Sequence, residues 1–225
     1  MNLKKAAAEK ALEYIKSGQV VGLGTGSTVA YFIEELGKKI KNENISIIGI
    51  PTSYQSQQIA IEHKVPLSTL YEHKKIDIDV DGADEVDSDL NLIKGGGAAL
   101  LNEKIIADAS SLVIIVVDET KMVDVLGSSY PLPIEVIPMA YKHVSVKLEK
   151  IGAEVTLRAA VKKDGPVITD NGNFILDAKF ASIDNPSELE REINMIPGVV
   201  ENGIFYKRAN KVIVATKSGI KVFEK

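Results

Sequence analysis

The chain contains no cysteine, which removes thiol nucleophiles, disulfides, thiolate metal sites and iron–sulfur clusters in one step. Long apolar runs are lacking as well. The most apolar stretch, Leu112 to Val117, is far too short to cross a bilayer and reads as a strand buried on both faces. The amino terminus, MNLKKAAAEKALEYIKSG, has no apolar core ahead of a cleavage site, so a first helix is expected there and not a signal peptide. Positive charge is not in excess: with 27 basic and 31 acidic residues and a net charge of -4, no basic face is offered to a nucleic-acid backbone. The three histidines, His63, His73 and His143, are scattered without metal-ligand spacing. No catalytic triad, internal repeat or low-complexity segment stands out. These absences favour a cytoplasmic protein that handles a small molecule or another protein.

What is present is a chain of 225 residues, 45% hydrophobic, enough for one large domain or two small ones. Short apolar strands alternate with helical patterns from the start: helix Leu3 to Lys16, strand Val20 to Leu23, helix Thr28 to Lys41, strand Ile45 to Ile50, helix Tyr54 to His63. Strand Ile76 to Val80, helix Ala98 to Ala107 and strand Leu112 to Val117 continue the series. Such alternation predicts an α/β fold, a Rossmann-like parallel sheet with helices on both faces. At YPLPIEVIP the texture changes, because prolines suit a linker and an edge strand.

Beyond that point the pattern reads strand Ile134 to Ile137, helix Tyr141 to Ile151, strand Glu154 to Ala159, a turn at DNGN, strand Phe174 to Phe180, helix Ser187 to Met195 and strand Val199 to Phe205. That is βαββαβ, the pattern of a smaller ferredoxin-like α+β domain. The β-branched tail, KVIVATKSGIKVFEK, is expected to return to the first sheet, which makes residues 131–205 an insertion between 1–130 and 206–225.

In an open parallel sheet, ligands bind outside the carboxyl ends of the strands, so the loops after strands carry the chemistry. GTGST, Gly24 to Thr28, leads from a strand into a helix, where backbone N–H groups and the hydroxyls of Thr25, Ser27 and Thr28 suit an anion. The same run lacks the Gly-Lys pair of a P-loop. It also has Ser27 in place of the third glycine of a dinucleotide fingerprint, and no acidic residue ends the next strand. A nucleotide cofactor is therefore not expected.

DGADEVDSD follows the next informative strand, and Asp81 and Asp84, flanking Gly82 and Ala83, suit the hydroxyls of a polyhydroxylated ligand. Asp77, Asp79, Asp81 and Gly82 imitate the opening of an EF-hand, but the twelfth position is Ser88 where glutamate is needed, so calcium is not expected. The bland reading of this loop is an acidic solvated turn.

IKGGGAALLNEK places Lys94, Gly95, Gly96 and Gly97 before a helix that carries Glu103. A glycine-rich entry lets substrate oxygens sit against backbone donors, and a partly desolvated Glu103 would move protons near neutral pH. The alternative is an exposed helix glutamate. Last, VDETK brings Lys121, a point charge suited to phosphate, to what is expected to be the same sheet edge.

Taken in order, GLGTGST, VDGADE, KGGGAAL followed by Glu103, DETK, PLPIEVIPMA and TDNGNFILD resemble the type A ribose-5-phosphate isomerases over nearly the full length. The resemblance implies interconversion of ribose 5-phosphate and ribulose 5-phosphate in the pentose phosphate pathway, without cofactor or metal, by a homodimer or homotetramer. It implies substrate binding by Thr25, Gly26, Ser27, Thr28, Asp81, Gly82, Ala83, Asp84, Lys94, Gly95, Gly96, Gly97 and Lys121. It further implies that Glu103 is the base, that Asp81 and Lys94 assist ring opening, and that Lys4 meets the phosphate. Ile50 to Ser56 departs from the serine-rich form common in bacterial members and carries no assigned role. Two other classes share related folds: sugar-phosphate sensors that bind without turnover, and aminosugar-phosphate isomerase-deaminases.

Overall fold

The computed structural model describes residues 2–225. In chain order the elements are α1 (Leu3–Ala11), β1 (Val20–Leu23), α2 (Ser27–Glu43), β2 (Ile48–Pro51), α3 (Tyr54–Glu62), β3 (Ile78–Asp81), β4 (Glu85–Val86), β5 (Leu92–Ile93), α4 (Leu100–Ala109) and β6 (Val113–Asp118). Then follow β7 (Leu132–Val136), α5 (Tyr141–Lys150), β8 (Glu154–Leu157), β9 (Phe174–Lys179), α6 (Pro186–Asn194), β10 (Val199–Asn202), β11 (Ile204–Phe205), β12 (Lys211–Thr216) and β13 (Gly219–Glu224). The chain divides into two compact units. One runs to Ala83 and adds Asn102–Lys121 and Arg208–Lys225; the other comprises Asp84–Leu101 and Met122–Lys207.

The first unit is built on a six-stranded sheet in the order β13-β12-β6-β3-β1-β2. All neighbours are parallel except β12 and β13, which form an antiparallel hairpin. The returning tail thus supplies two strands of the first sheet. β6 lies between two other strands, and its residues Val113 to Val117 are all buried, which explains an uninterrupted apolar run in place of alternation.

The face carrying Val21, Leu23, Ile78, Val80, Ile114, Val116, Ile213 and Ala215 packs on α1, α2 and α3. α2 buries Val29, Phe32, Ile33 and Leu36, the i, i+3, i+4, i+7 spacing of one helical stripe. α1 contributes Ala7, Ala8 and Ala11, whose small side chains let it lie close. On the opposite face Ile106 of α4 packs with Ile50 and Ile76. Helices therefore cover both faces, as the alternation predicts.

The second unit contains the expected βαββαβ, with a four-stranded sheet in the order β10-β7-β9-β8 and antiparallel pairing throughout. Leu132, Ile134 and Val136 of β7 alternate into a core with Val144 and Leu148 of α5 and Ile193 of α6. Two expectations need correction: the proline-bearing strand β7 is not an edge strand but lies between β10 and β9, and Val199 to Phe205 is not a single strand. It breaks at Gly203, whose N–H donates to Pro133 in β7 (2.8 Å) while its carbonyl accepts from Lys94 (2.9 Å). β10 thus stays with β7, and β11 joins a separate three-stranded sheet, β11-β5-β4.

Candidate active site

In the first unit the parallel strands run in the order β2-β1-β3-β6-β12. After β1 the chain turns to one side to make β2, then crosses back to make β3, so the order reverses between β1 and β3. The loops leaving the carboxyl ends of those two strands diverge there, which is where open α/β sheets bind ligands. Both loops carry residues singled out above.

Gly24 follows β1 and lies against Asp81 at the end of β3; a Cβ on Gly24 would sit 2.6 Å from the Asp81 Cα and overlap its carboxylate. Only glycine fits. The backbone N–H groups of Thr25 (3.0 Å) and Gly82 (2.7 Å) both donate to Asp81 Oδ1, fixing a carboxylate that is 1% exposed. Gly26 caps α2 with a positive φ of 108°, and Ser27 and Thr28 open the helix. Lys4 on α1 donates to Ser27 Oγ (2.9 Å), so two residues assigned to phosphate binding by resemblance stand together. A helix start with a lysine beside it is a favourable place for a phosphate dianion. Lys121, half-buried, ends the 3-10 turn Glu119–Lys121 directly after β6.

Glu103 lies in the first turn of α4 and is 4% exposed. The alternative of a solvated helix glutamate is thereby excluded. Asp79, one step before Val80 on β3, is fully buried, and a Cβ on its cross-strand neighbour Gly22 would meet both Asp79 Oδ1 (2.6 Å) and Ile106 (2.7 Å). Asp77 accepts the Val20 N–H (2.8 Å). Of the acidic residues of the EF-hand lookalike, Asp79 and Asp81 thus belong to β3 and Asp77 immediately precedes it. No group of three or more His, Asp or Glu able to hold a metal occurs among the described residues.

The segment Ile50 to Ser56 had no assigned role, and the structure gives it contacts. Thr25 Oγ1 donates to Ser53 Oγ (2.7 Å) and lies 2.7 Å from Thr52 Oγ1, while the buried Thr52 hydroxyl also reaches the Leu23 carbonyl (3.1 Å). Gln55 Oε1 accepts the Gly26 N–H (3.0 Å). The signal was positional: this segment leaves the carboxyl end of β2, beside β1.

Lys94 to Gly97 does not follow a strand of the six-stranded sheet, contrary to the expectation of four loops on one sheet edge. It follows β5 in the second unit, where two-residue strands leave no readable period. Lys94 is 3% exposed, its ammonium 5.4 Å from the Phe205 ring centroid. Gly96 donates to Asp84 Oδ2 (2.7 Å), and a Cβ on Gly96 would lie 2.6 Å from Asp84 Oδ1 and 2.9 Å from the Tyr130 hydroxyl. Burial, then the Asp84 charge, raises the Tyr130 phenol above its ordinary pKa.

On the other side of the turn, Arg158 Nη1 donates to the carbonyls of Gly95 (2.9 Å) and Gly96 (3.1 Å). Burial pulls the Arg158 guanidinium down, but the hydrogen bond and charge of Asp177 outweigh it and leave the pKa raised. Arg158 carries no sequence signal, because a lone Arg in TLRAAV is indistinguishable from a surface charge; Asp177 closes the TDNGNFILD motif, which by itself assigns it no partner. In sum of contacts, the structure joins Lys4 with Ser27, Gly24 and Thr25 with Asp81, and Asp84 with Gly96.

The family model for ribose 5-phosphate isomerase A (phosphoriboisomerase A) matches residues 48–219. The ribose-5-phosphate isomerase A of Methanothermobacter thermautotrophicus is 55% identical over 222 residues, covering 99% of this chain and 97% of its own. That of Pyrococcus abyssi is 56% identical over 224 residues, covering 99% and 98%. Among solved structures, a D-ribose-5-phosphate isomerase in complex with phospho-erythronic acid superposes with a TM-score of 0.97 at 54% identity over 100% of both chains. The Methanocaldococcus jannaschii ribose 5-phosphate isomerase A gives 0.96 at 48% identity over 100% of this chain and 99% of its own. A match of this extent, through both units and every motif quoted above, means that the chain belongs to the ribose-5-phosphate isomerase A family.

Proposed function

We propose that the protein interconverts D-ribose 5-phosphate and D-ribulose 5-phosphate through an enediolate, in the non-oxidative branch of the pentose phosphate pathway. The observation that carries the reading is the buried Asp81 carboxylate, held by two backbone N–H groups at the β1/β3 switch point, beside a glycine-lined helix start that Lys4 flanks. In this reading Asp81 and Lys94 assist ring opening. Glu103 then removes the proton from carbon 2 of the aldose and returns it to carbon 1. Lys94 and the N–H groups of the glycine turn meet charge developing on the oxygens. Lys4, Ser27, Thr28 and Lys121 hold the phosphate, and Thr25, Gly26, Gly82, Ala83 and Asp84 belong to the substrate-binding segments. Anchoring that remote phosphate lowers the barrier at the reacting carbons. The relatives' names support this activity over a sensor or an aminosugar-phosphate deaminase. No described helix is long and apolar enough to cross a membrane, and a cytoplasmic homodimer or homotetramer belongs to the same proposal.

The test is isomerisation of ribose 5-phosphate after exhaustive chelation. Full activity is expected, since the chemistry asks only for a base and hydrogen-bond donors. Activity lost in EDTA and restored by one divalent ion would contradict a metal-free mechanism. Lys121→Ala is expected to weaken ribose 5-phosphate at least tenfold while barely changing the weak binding of ribose, because a charge-assisted contact contributes about 1.5–3 kcal/mol. Equal losses for the two ligands would place Lys121 away from the phosphate.

A further inference from the structure

Three consecutive glycines have little steric reason to hold one conformation, since each peptide can rotate with almost no side-chain hindrance. For a turn whose proposed task is to present N–H groups to an oxyanion, that freedom matters. A peptide flip would replace a donor with a carbonyl oxygen and reverse the sign of the local dipole. Something must select the orientation.

We infer that Arg158 is a positioning residue for the triglycine turn: anchored by Asp177, its guanidinium fixes two carbonyls on one side so that the Gly96 and Gly97 N–H groups face the other, the first held by Asp84 and the second presented to the substrate. The inference rests on the reading of Lys94 to Gly97 as a substrate loop. Gly95 and Ala98 close a turn through the Ala98 N–H to Gly95 carbonyl bond (3.0 Å). One nitrogen, Arg158 Nη1, takes the carbonyls of both Gly95 (2.9 Å) and Gly96 (3.1 Å), so these two oxygens point to the same side.

In a trans peptide the N–H points opposite to the C=O of the same plane, and no cis peptide occurs among the described residues. The Gly96 N–H therefore points away from Arg158, and it does: it donates to Asp84 Oδ2 (2.7 Å). The Gly97 N–H shares its plane with the Gly96 carbonyl and must point the same way. Two successive N–H groups directed to one side form an anion-binding concavity; the Asp84 carboxylate takes the Gly96 N–H, which leaves the Gly97 N–H for a substrate oxygen.

The clamp is itself held. Arg158 Nε donates to Asp177 Oδ2 (2.8 Å) and Nη2 donates to Asp177 Oδ1, a bidentate pair that leaves Nη1 for the carbonyls. β8 and β9 set this geometry: Thr156 pairs with Asp177, and Arg158, two residues on, shares its side of the hairpin. The pair is largely buried, at 14% and 21% side-chain exposure. Lysine, with one nitrogen, cannot hold Asp177 through two bonds and both carbonyls at once.

The experiment compares Arg158→Met, Arg158→Lys, Arg158→Ala and Asp177→Asn with the wild type in ribose 5-phosphate isomerisation. Expected is a fall in kcat of about tenfold to a hundredfold for Arg158→Met, somewhat less than removal of an oxyanion donor causes. KM should change less than about threefold, because the donors matter more in the transition state than in the ground state. Low millimolar guanidinium should restore part of kcat to Arg158→Ala, and sodium chloride at the same ionic strength should not.

A merely structural ion pair would lower the melting temperature and leave kcat per folded molecule unchanged, with no rescue; that result overturns the inference. Should Arg158→Met fail to fold, Arg158→Lys and Asp177→Asn decide by the same two criteria. Failure of the underlying reading looks different, since the wild type itself would then not isomerise ribose 5-phosphate. A wild type that turns over beside a fully active Arg158→Met removes only the role given to Arg158.

Discussion

Glu103→Gln is expected to lower kcat by at least a hundredfold, while the affinity for phospho-erythronic acid, the ligand of a solved relative, stays within a few-fold of wild type. The size follows from the role proposed: a positioned general base contributes about 10²–10⁴. Glutamine keeps the volume and the hydrogen-bonding outline of glutamate but cannot accept a proton from carbon. Affinity should persist because the Asp81 anchor, the Gly96–Asp84 bond and the Lys4–Ser27 contact do not involve the Glu103 side chain. Burial of Glu103 to 4% leaves two explanations, a structural acid and a chemical one. A structural Glu103 predicts a variant that melts early but turns over normally while folded. A chemical one predicts a stable variant that still binds and no longer exchanges the carbon 2 hydrogen with solvent. Exchange at the wild-type rate in Glu103→Gln would remove this residue from the mechanism.

How far the sequence carried depended on the range of the physics involved. The parallel unit was legible because its signals are local: the stripe Val29, Phe32, Ile33, Leu36 marks α2, and the run Val113 to Val117 marks a strand covered on both faces. The order of strands was not, since periodicity says which residues are buried and nothing about which strand lies beside which. The stretch from Asp84 to Leu101 failed for another reason. β4 and β5 are two residues each, shorter than one alternation, and the positive φ of Gly95 (105°) and Ala98 (58°) delays α4 to Leu100. Local pattern alone therefore attaches Lys94 to Gly97 to the wrong sheet.

Within the site, the residues dense in glycine and acid were visible from composition alone. Those that orient them were not, because their partners are distant: Thr52 reaches Thr25 across 27 residues and Arg158 reaches Gly95 across 63. The acidic loop DGADEVDSD shows the same limit inside nine residues. Asp87 accepts the N–H groups of Asp89 (2.9 Å) and Asn91 (2.8 Å) and shapes a turn, while Asp81 and Asp84 hold the two glycine loops. Glu85, which the sequence does not distinguish from its acidic neighbours, is fully buried.

Glu85→Ala is accordingly expected to destabilise the protein by several kcal/mol, the largest effect on folding proposed for a single side chain in this chain. The Glu85 carboxylate accepts the N–H groups of Gly127 (2.6 Å), Ser129 (2.6 Å) and Tyr130 (2.6 Å) and the Ser129 hydroxyl (2.7 Å). Alanine leaves those N–H groups without their acceptor, at a cost of about 1–3 kcal/mol for each donor that water cannot reach. Domains as a rule are stable by only about 5–15 kcal/mol, so the variant should unfold at a much lower urea concentration or accumulate as inclusion bodies. Glu85→Gln should fall between. Its carbonyl can keep the three bonds made by Oε1, whereas its amide nitrogen faces the Gly127 N–H, donor against donor. The ordering wild type, Glu85→Gln, Glu85→Ala in urea midpoint is the check, and an alanine variant within about 1 kcal/mol of wild type, inside the range of ordinary surface substitutions doubled, would show that water replaces the carboxylate. A second readout ties this loop to the turn: Glu85 fixes the backbone of Tyr130, whose hydroxyl stands beside Gly96. Glu85→Gln, where it folds, should therefore lose kcat as well as stability, while a variant that loses stability alone would uncouple Tyr130 from the glycine turn.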